Sequence, residues 1–333
     1  MMWIARWLRR SARCLVALAF ALFAGTPFMP SALAQDYPTR PIRIIAPFPP
    51  GGGADIILRA LGPRMAQALG QPVIIDNHAG GGGTIGTKLA AAATPDGYTL
   101  VLGLTGTLAI NPGLYPDLSY DPQKDFTPIA LLATGANVLV ANPGLEIRSI
   151  DELIAYAKLH PGKLTYASSG IGGAPHLAGV LLGSMARVEL VHIPYKGGAQ
   201  ATADLLGGHV SLMFAGLGAA ISNIQSGKLR ALGVASPGRS SLLPDVPAIG
   251  ESLPGFSAVT WFGILAPSGT PGSIVARLSE VILQIAGSRD FARQLEVEGY
   301  DVTTGTPQTF ESLIASDRKK WADIIRTTGA TIQ

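Results

Sequence analysis

The residues best placed to do chemistry in this chain are glycines. Four stretches carry them: FPPGGGAD (48–55), NHAGGGGTIG (77–86), SSGIGGAPH (168–176) and YKGGAQ (195–200). Each follows an apolar run and opens an amphipathic one, so each is predicted to join a strand to a helix. A helix start presents backbone N–H groups without intrahelical partners, together with the positive end of the helix dipole. Glycine lets an anion come close to that backbone, which is how helix N-termini hold phosphate or carboxylate. In α/β sheets such turns gather at the carboxyl ends of the strands. One helix start contributes at most ~2 kcal/mol, whereas micromolar affinity needs about −8 kcal/mol. Several turns must therefore converge on one ligand, and two in each half of a divided molecule predict a small anion held in a cleft.

Competing chemistries are poorly supplied. Gly81-x-Gly83-x-x-Gly86 matches a dinucleotide fingerprint, but it falls in the second strand–helix unit and no acid follows about twenty residues on. The five histidines, His78, His160, His176, His192 and His209, have no metal-ligand spacing. Ser316-x-x-Lys319 stands on a charged helix without its companion motifs. No acid, base and nucleophile set emerges, and no cofactor is expected. Individual side chains keep two readings each. Asp55 either caps the helix that it opens or faces the cleft and pairs with a ligand amine. Tyr195 covers a ligand or packs between lobes, and Lys196 charges the cleft or is merely solvated. His176 and His192 border glycine turns, as ligand donors or as structural side chains.

The elements that must position these residues follow from the pattern of apolar runs. Strands are predicted at 42–46, 73–76, 98–103, 164–167, 189–193, 210–214 and 229–234, and helices at 54–69, 84–93, 149–159, 175–187, 198–207 and 217–226. This alternation predicts α/β units with largely parallel sheets. Two stretches break it, FTPIALLATGANVLVANPG (126–144) and GFSAVTWFGILAPSGTP (255–271), and these read as paired connections between two lobes. Ile274, Leu278, Val281, Ile282 and Ile285, then Phe310, Leu313, Ile314, Trp321, Ile324 and Ile325, recur at helical spacing and predict core-facing helices in the tail. Lobe 1 is placed at 35–137 plus 258–333, and lobe 2 at 138–257.

Residues 1–34 read as an export signal. Arg6, Arg9, Arg10 and Arg13 precede the apolar run CLVALAFALFA, and Ala32-Leu33-Ala34 then supplies a cleavage pattern before Gln35. An uncleaved anchor is the alternative. Removing the leader takes away four of the 25 basic residues and none of the 22 acidic ones. The remainder is nearly neutral, so no strong field is left to attract nucleic acid or anionic lipid. The only cysteine, Cys14, leaves with the leader, so the exported chain must be held together by its core.

Taken in order, PFPPGGGAD, NHAGGGGTIG, Thr94-Pro-Asp-Gly-Tyr98, YASSGIGG, HIPYKGG, LRALGVAS, LPDVPAIGE and GILAPSGTP resemble the Bug-type extracytoplasmic solute receptors of tripartite tricarboxylate transporters. The resemblance covers essentially the whole mature chain. It implies a type II periplasmic-binding-protein fold: two α/β lobes joined by two crossing strands, closing around a small carboxylate. The ligand would be an organic acid, an aromatic acid or an acidic amino acid, passed on to membrane subunits of the transporter. Carried over by position, the ligand shell would include Phe48, Gly52, Gly53, Ala54 and Asp55, then Ser168, Ser169 and Gly172, then Tyr195 and Lys196. Gly83 and His176 join them as candidates from their own turns. Many relatives carry aspartate at the position of Ser211 and a polar or acidic residue near Ala215. A less polar site there would favour a more apolar acid. A monomer is the default expectation. A sensory receptor would show the same binding chemistry, and an enzyme acting on a small acid is the reading from another class.

Overall fold

The computed structural model describes residues 37–331, so the expected leader and Cys14 lie outside the described residues. The first lobe opens with β1 (Ile42–Ala46), α1 (Gly53–Leu69), β2 (Val73–Asn77), α2 (Thr84–Ala91) and β3 (Thr99–Leu104). A π-helical turn (Gly106–Ile110) leads into a short α3 (Asn111–Leu114), and β4 (Phe126–Gly135) follows. The chain then builds β5 (Asn137–Ala141), α4 (Ile150–Leu159), β6 (Thr165–Ser168), α5 (Ala174–Ala186), β7 (Val191–Pro194), α6 (Gly198–Leu206), β8 (Leu212–Gly216), α7 (Leu217–Gln225) and β9 (Arg230–Val234). After α8 (Ile249–Ser252), β10 (Thr260–Pro267), α9 (Gly272–Ala286), α10 (Arg289–Val297), β11 (Tyr300–Gly305) and α11 (Pro307–Thr328) complete it.

These strands form two mixed sheets. One has six strands in the order β11-β4-β10-β3-β1-β2, the other five in the order β7-β6-β8-β5-β9. The strand–turn–helix units are parallel as expected: β1 pairs with β2 and β3, and β6 pairs with β7 and β8. Ile42, Ile44, Ile45 and Ala46 are fully buried, which suits a strand covered on both faces.

The two stretches read as connections are more than that. β4 and β10 pair antiparallel from Gly135↔Thr260 to Phe126↔Pro267, inside the six-stranded sheet. One residue later, β5 lies inside the other sheet, antiparallel to β8 and β9. The chain thus changes sheets within Gly135–Asn137, and it returns between Val234 and Thr260. Asn137 ties the two passages together. Its side-chain amide donates to the Ala258 carbonyl (2.8 Å) and to Thr260 Oγ1 (3.4 Å), while its own carbonyl accepts from Ala235 N (2.7 Å). The tail helix braces the return: Trp261 Nε1 donates to Asp317 (2.6 Å) and Lys320 Nζ to the Ser257 carbonyl (2.7 Å).

Both tail stripes face the core. Leu278, Ile282, Phe310 and Trp321 are at most 1 % exposed. Four features were not anticipated: the π-helical turn with α3, the short α8, the helix α10, and the edge strand β11, whose sequence YDVTTG has no apolar run.

Candidate ligand site

The four glycine turns all lie at carboxyl ends of strands and feed α1, α2, α5 and α6. Their N-cap residues are Gly52, Gly83, Gly173 and Gly197, and none of the four helices has a side-chain hydrogen bond at its cap. Three helices elsewhere are capped by side chains. Ser149, Ser288 and Thr306 each accept a hydrogen bond from the third residue of α4, α10 and α11, the usual device for satisfying orphan N–H groups. Free helix starts are thus found where the strands end. Two more, at Gly216 ahead of α7 and at Pro271 ahead of α9, were not singled out in the sequence.

Packing brings the turns together. The Phe48 ring lies over Gly83, where an added Cβ would sit 3.0 Å from Cζ and 2.7 Å from Thr107 Cγ2. On Gly82 such an atom would sit 3.2 Å from the Ile171 carbonyl oxygen, across the boundary between the sheets. On Gly170 it would sit 3.5 Å from the Tyr195 carbonyl oxygen. The first turn is thereby linked to the second, the second to the third, and the third to the fourth.

Asp55 is placed as a brace of the first turn. Its side chain is nearly fully buried and accepts from Gly51 N (3.0 Å), Arg59 Nε (2.7 Å) and Asn77 Nδ2 (3.1 Å). Burial pushes its pKa up, but the bonds from Arg59, Gly51 and Asn77 outweigh this and hold it below the usual carboxylate value. Its acceptor capacity is spent within the protein, on Gly51 N ahead of the helix and on two side chains rather than on an N–H of α1. Asp55 therefore braces the turn instead of capping the helix. Asn77 also donates to the Phe48 carbonyl (3.1 Å). Asp55→Ala is expected to cost about 2 kcal/mol, because the Gly51 and Asn77 donors lose their acceptor. Thermal unfolding checks this, and an unchanged melting temperature would show that the brace is dispensable.

Gly52 and Gly53 differ. At Gly52 an added Cβ meets only the Pro49 carbonyl, at an ordinary 3.5 Å. At Gly53 it would run into the Tyr300 hydroxyl, with Phe262 behind. The missing side chain of Gly53 therefore serves packing, and Ala54 beside it is buried.

The second turn keeps positive φ from Gly80 through Gly83, a run that side chains other than glycine resist. It is pinned from beneath. Thr87 Oγ1 donates to the Gly83 carbonyl (2.8 Å), and Asn111 Nδ2 donates to the Gly82 carbonyl (3.0 Å). Tyr120 donates to the Thr107 carbonyl (2.6 Å) in the same buried layer. Asn111 is wholly buried and was missed in the sequence, although Asn-Pro-Gly at 111–113 is a turn signal that marks it.

In the third turn Ser168 is buried and Ser169 exposed. Ser168 Oγ donates to the Gly170 carbonyl (2.9 Å), and Gly172 N donates to His176 Nδ1 (3.3 Å). His176 packs flat against His192, with centroids 4.2 Å apart. Burial lowers the pKa of His176 to about 4, and burial together with His176 lowers that of His192 to about 3. Both rings are therefore neutral at neutral pH. In the fourth turn the Tyr195 hydroxyl donates to Asp204 (2.8 Å), while Lys196 is exposed.

Ser211 stands apart from the turns. It sits ahead of β8 at the amino end, where its backbone N–H donates to Thr165 Oγ1 (3.0 Å). The five residues of β8 separate it from the carboxyl end, about 17 Å at the rise of a strand. Ala215 is nearer that end but packs into the core with Ala136, Val138 and Leu217. Two surface pockets, of about 520 and 540 Å³, are lined mostly by other segments; the second includes His176, the last residue of the third turn, together with His192.

Two α/β lobes, crossed twice by the chain, with glycine turns meeting between them, define a solute-binding protein. The chain belongs to the tripartite tricarboxylate transporter receptor family, whose model matches residues 57–330. Over 94 % of its length it is 36 % identical to Protein BugT of Bordetella pertussis, of which it covers 97 %. Its fold is similar to that of Rpa4515 of R. palustris, described with adipate (TM-score 0.82, 33 % identity, 88 % of this chain and 98 % of that one). It is also similar to MatC of Rhodopseudomonas palustris, described with bound malate (TM-score 0.79, 33 % identity, 87 % and 100 %).

Proposed function

We propose that this protein is a non-catalytic receptor that captures a small carboxylate between its lobes and delivers it to the membrane subunits of a tripartite transporter. The observation that carries the reading is the set of four helix starts with bare glycine caps, linked turn to turn across the two sheets. Their N–H groups suit a carboxylate, and the two sheets suit a cleft that closes over it. In this reading the helix starts beside Gly52, Gly83 and Gly172 supply backbone donors. The N–H groups of Gly83 and Gly172 themselves are bonded to the Gly80 carbonyl and to His176 Nδ1. Phe48 and Tyr195 supply walls, and Ser169 and Lys196 are the exposed polar groups at the rim. The lobes are residues 35–137 with 258–333, and 138–257. Asn137 and Ala258 lie at the hinge, and rotation there opens and closes the cleft. The protein works as a monomer in the periplasm, after export by the leader at 1–34.

Adipate and malate, the acids described with two relatives, are both dicarboxylates and are the first candidates. Thermal unfolding of residues 35–333 with mono-, di- and tricarboxylates, aromatic acids and acidic amino acids tests the reading. A ligand at about a hundred times its dissociation constant adds ~2.7 kcal/mol, which raises the melting temperature by several degrees. A shift confined to one class of acid identifies the substrate. No shift with any acid in the panel would overturn the carboxylate reading and leave the fold standing.

A further inference from the structure

The stacked histidines His176 and His192 lie behind the third turn, on different elements of the second lobe. His176 is on the first turn of α5 and His192 is in β7. Each ring holds a different end of the turn between them. His176 Nδ1 accepts from Gly172 N (3.3 Å), and His192 Nε2 lies 2.8 Å from Ser168 Oγ. The hydrogen bonds assign the tautomers. Ser168 has one hydroxyl proton and gives it to the Gly170 carbonyl, so its oxygen must accept from His192 Nε2–H. His176 Nδ1 accepts, so in the neutral ring its proton is on Nε2. Tyr166 closes the stack, 4.8 Å from the His192 ring centroid, and its hydroxyl donates to the His176 carbonyl (3.1 Å). Arg187 and Glu189 are the charged groups lining the same pocket.

The turn has many conformations open to it, since Gly170 and Gly172, with φ of 143° and 82°, are residues that adopt either sign of φ, and the two rings fix one of them. Gly172 also meets the first lobe, since a Cβ on it would sit 2.7 Å from Asn111 Oδ1. A small change in this turn therefore alters the contact between the lobes.

We propose that His176 and His192 are positioning residues: as a stacked pair they hold the Ser168–Gly173 turn in the shape that receives the ligand, without touching the ligand themselves. This rests on the carboxylate-receptor reading above. Burial keeps both rings neutral, so His176 Nδ1 remains an acceptor at neutral pH.

Three variants test the pair. His176→Leu removes the acceptor for Gly172. His176→Asn returns an acceptor atom, because asparagine Oδ1 is bonded to Cγ as histidine Nδ1 is. His192→Phe keeps the stacked ring and removes the donor to Ser168. Amide hydrogen exchange at Gly170 and Gly172 is read first, then affinity for adipate and malate. Gly172 exchange should accelerate in His176→Leu and return toward wild type in His176→Asn, and Gly170 exchange should accelerate in His192→Phe. Affinity should fall about tenfold in His176→Leu and His192→Phe, as expected for one lost neutral hydrogen bond, and recover in His176→Asn. If His176→Leu does not fold, the Asn and Phe variants still decide. Unaltered exchange in His192→Phe, or His176→Asn exchanging as fast as an unsupported turn, would overturn the proposal. Faster exchange with unaltered affinity would overturn it too. If the wild type binds neither acid, affinity is read with whichever acid of the panel shifts its unfolding; if none does, it is the receptor reading that fails, and the exchange arm alone decides whether the pair holds the turn.

Discussion

Gly52→Val is expected to abolish carboxylate binding in a protein that still folds. Gly52 caps α1 with φ −83° and ψ 170°, an extended conformation open to any residue. A Cβ there meets only the Pro49 carbonyl, at 3.5 Å. Valine is a poorer cap than glycine, by about 1 kcal/mol at most, so the melting temperature should fall by only a few degrees. Its branched side chain would nevertheless stand over the N–H groups at the start of α1, where the carboxylate is proposed to sit. Losing those donors and the space in front of them should weaken binding by a hundredfold or more, about 3 kcal/mol. Gly53→Val is the control with the opposite profile. Its side chain would strike Tyr300 and Phe262, so stability should fall by about 1–3 kcal/mol from overpacking. Calorimetric titration and thermal unfolding on both variants separate the effects. If Gly52→Val binds like the wild type, the first turn does not hold the acid.

Much of this was legible in the sequence because local signals agreed. IRIIA is continuous and apolar, the glycines follow it at once, and DIILRALGPRMAQAL has helical spacing. The boundaries of β1 and α1 accordingly fall within a residue of the sequence reading. Long-range pairing was less legible. The stretch at 126–144 shows no alternation because both sheets bury it, and its antiparallel partners are remote: β4 pairs with 260–267, more than a hundred residues away, and β5 with 212–216 and 230–234. β11 is polar because it is an edge strand, and it is recognisable only through its pairing with β4. The site divides in the same way. Glycine turns announce themselves, since few other residues suit a close approach of backbone. The groups that hold them do not: Asn111 reaches Gly82 across 29 positions, and His192 reaches Ser168 across 24. Asn77 and Tyr300 support the first turn through contacts of the same kind. Family resemblance drew attention to Ser211, but strand direction puts it at the far end of β8 from the turns.

Gly218→Val is expected to hold the lobes apart. Gly218 is the second residue of α7 in the second lobe, and the turn at Glu298–Gly299 belongs to the first. Here backbone meets backbone: a Cβ on Gly218 would run into the Glu298 carbonyl oxygen. A main-chain carbonyl cannot rotate away as a side chain would, so the lobes themselves must give. The contact lies beside the hinge, where Leu217 N donates to the Ala136 carbonyl (2.9 Å). It is also on the side of the glycine turns, because Tyr300, next to Gly299, packs against Gly53. A side chain inserted there acts as a wedge that opens the hinge. The helix itself should not suffer, since valine is a better helix former than glycine by a few tenths of a kcal/mol. Unliganded stability should therefore change little, while the closed state becomes less favourable by about 1–3 kcal/mol. A ligand that needs the closed state must supply that difference, so affinity should fall roughly 5- to 150-fold. Solution scattering provides the second reading: saturating ligand should shrink the radius of gyration of the wild type and leave the variant expanded. If the variant binds and compacts as the wild type does, closure does not pass through this contact, and the hinge motion proposed here must be assigned to other residues.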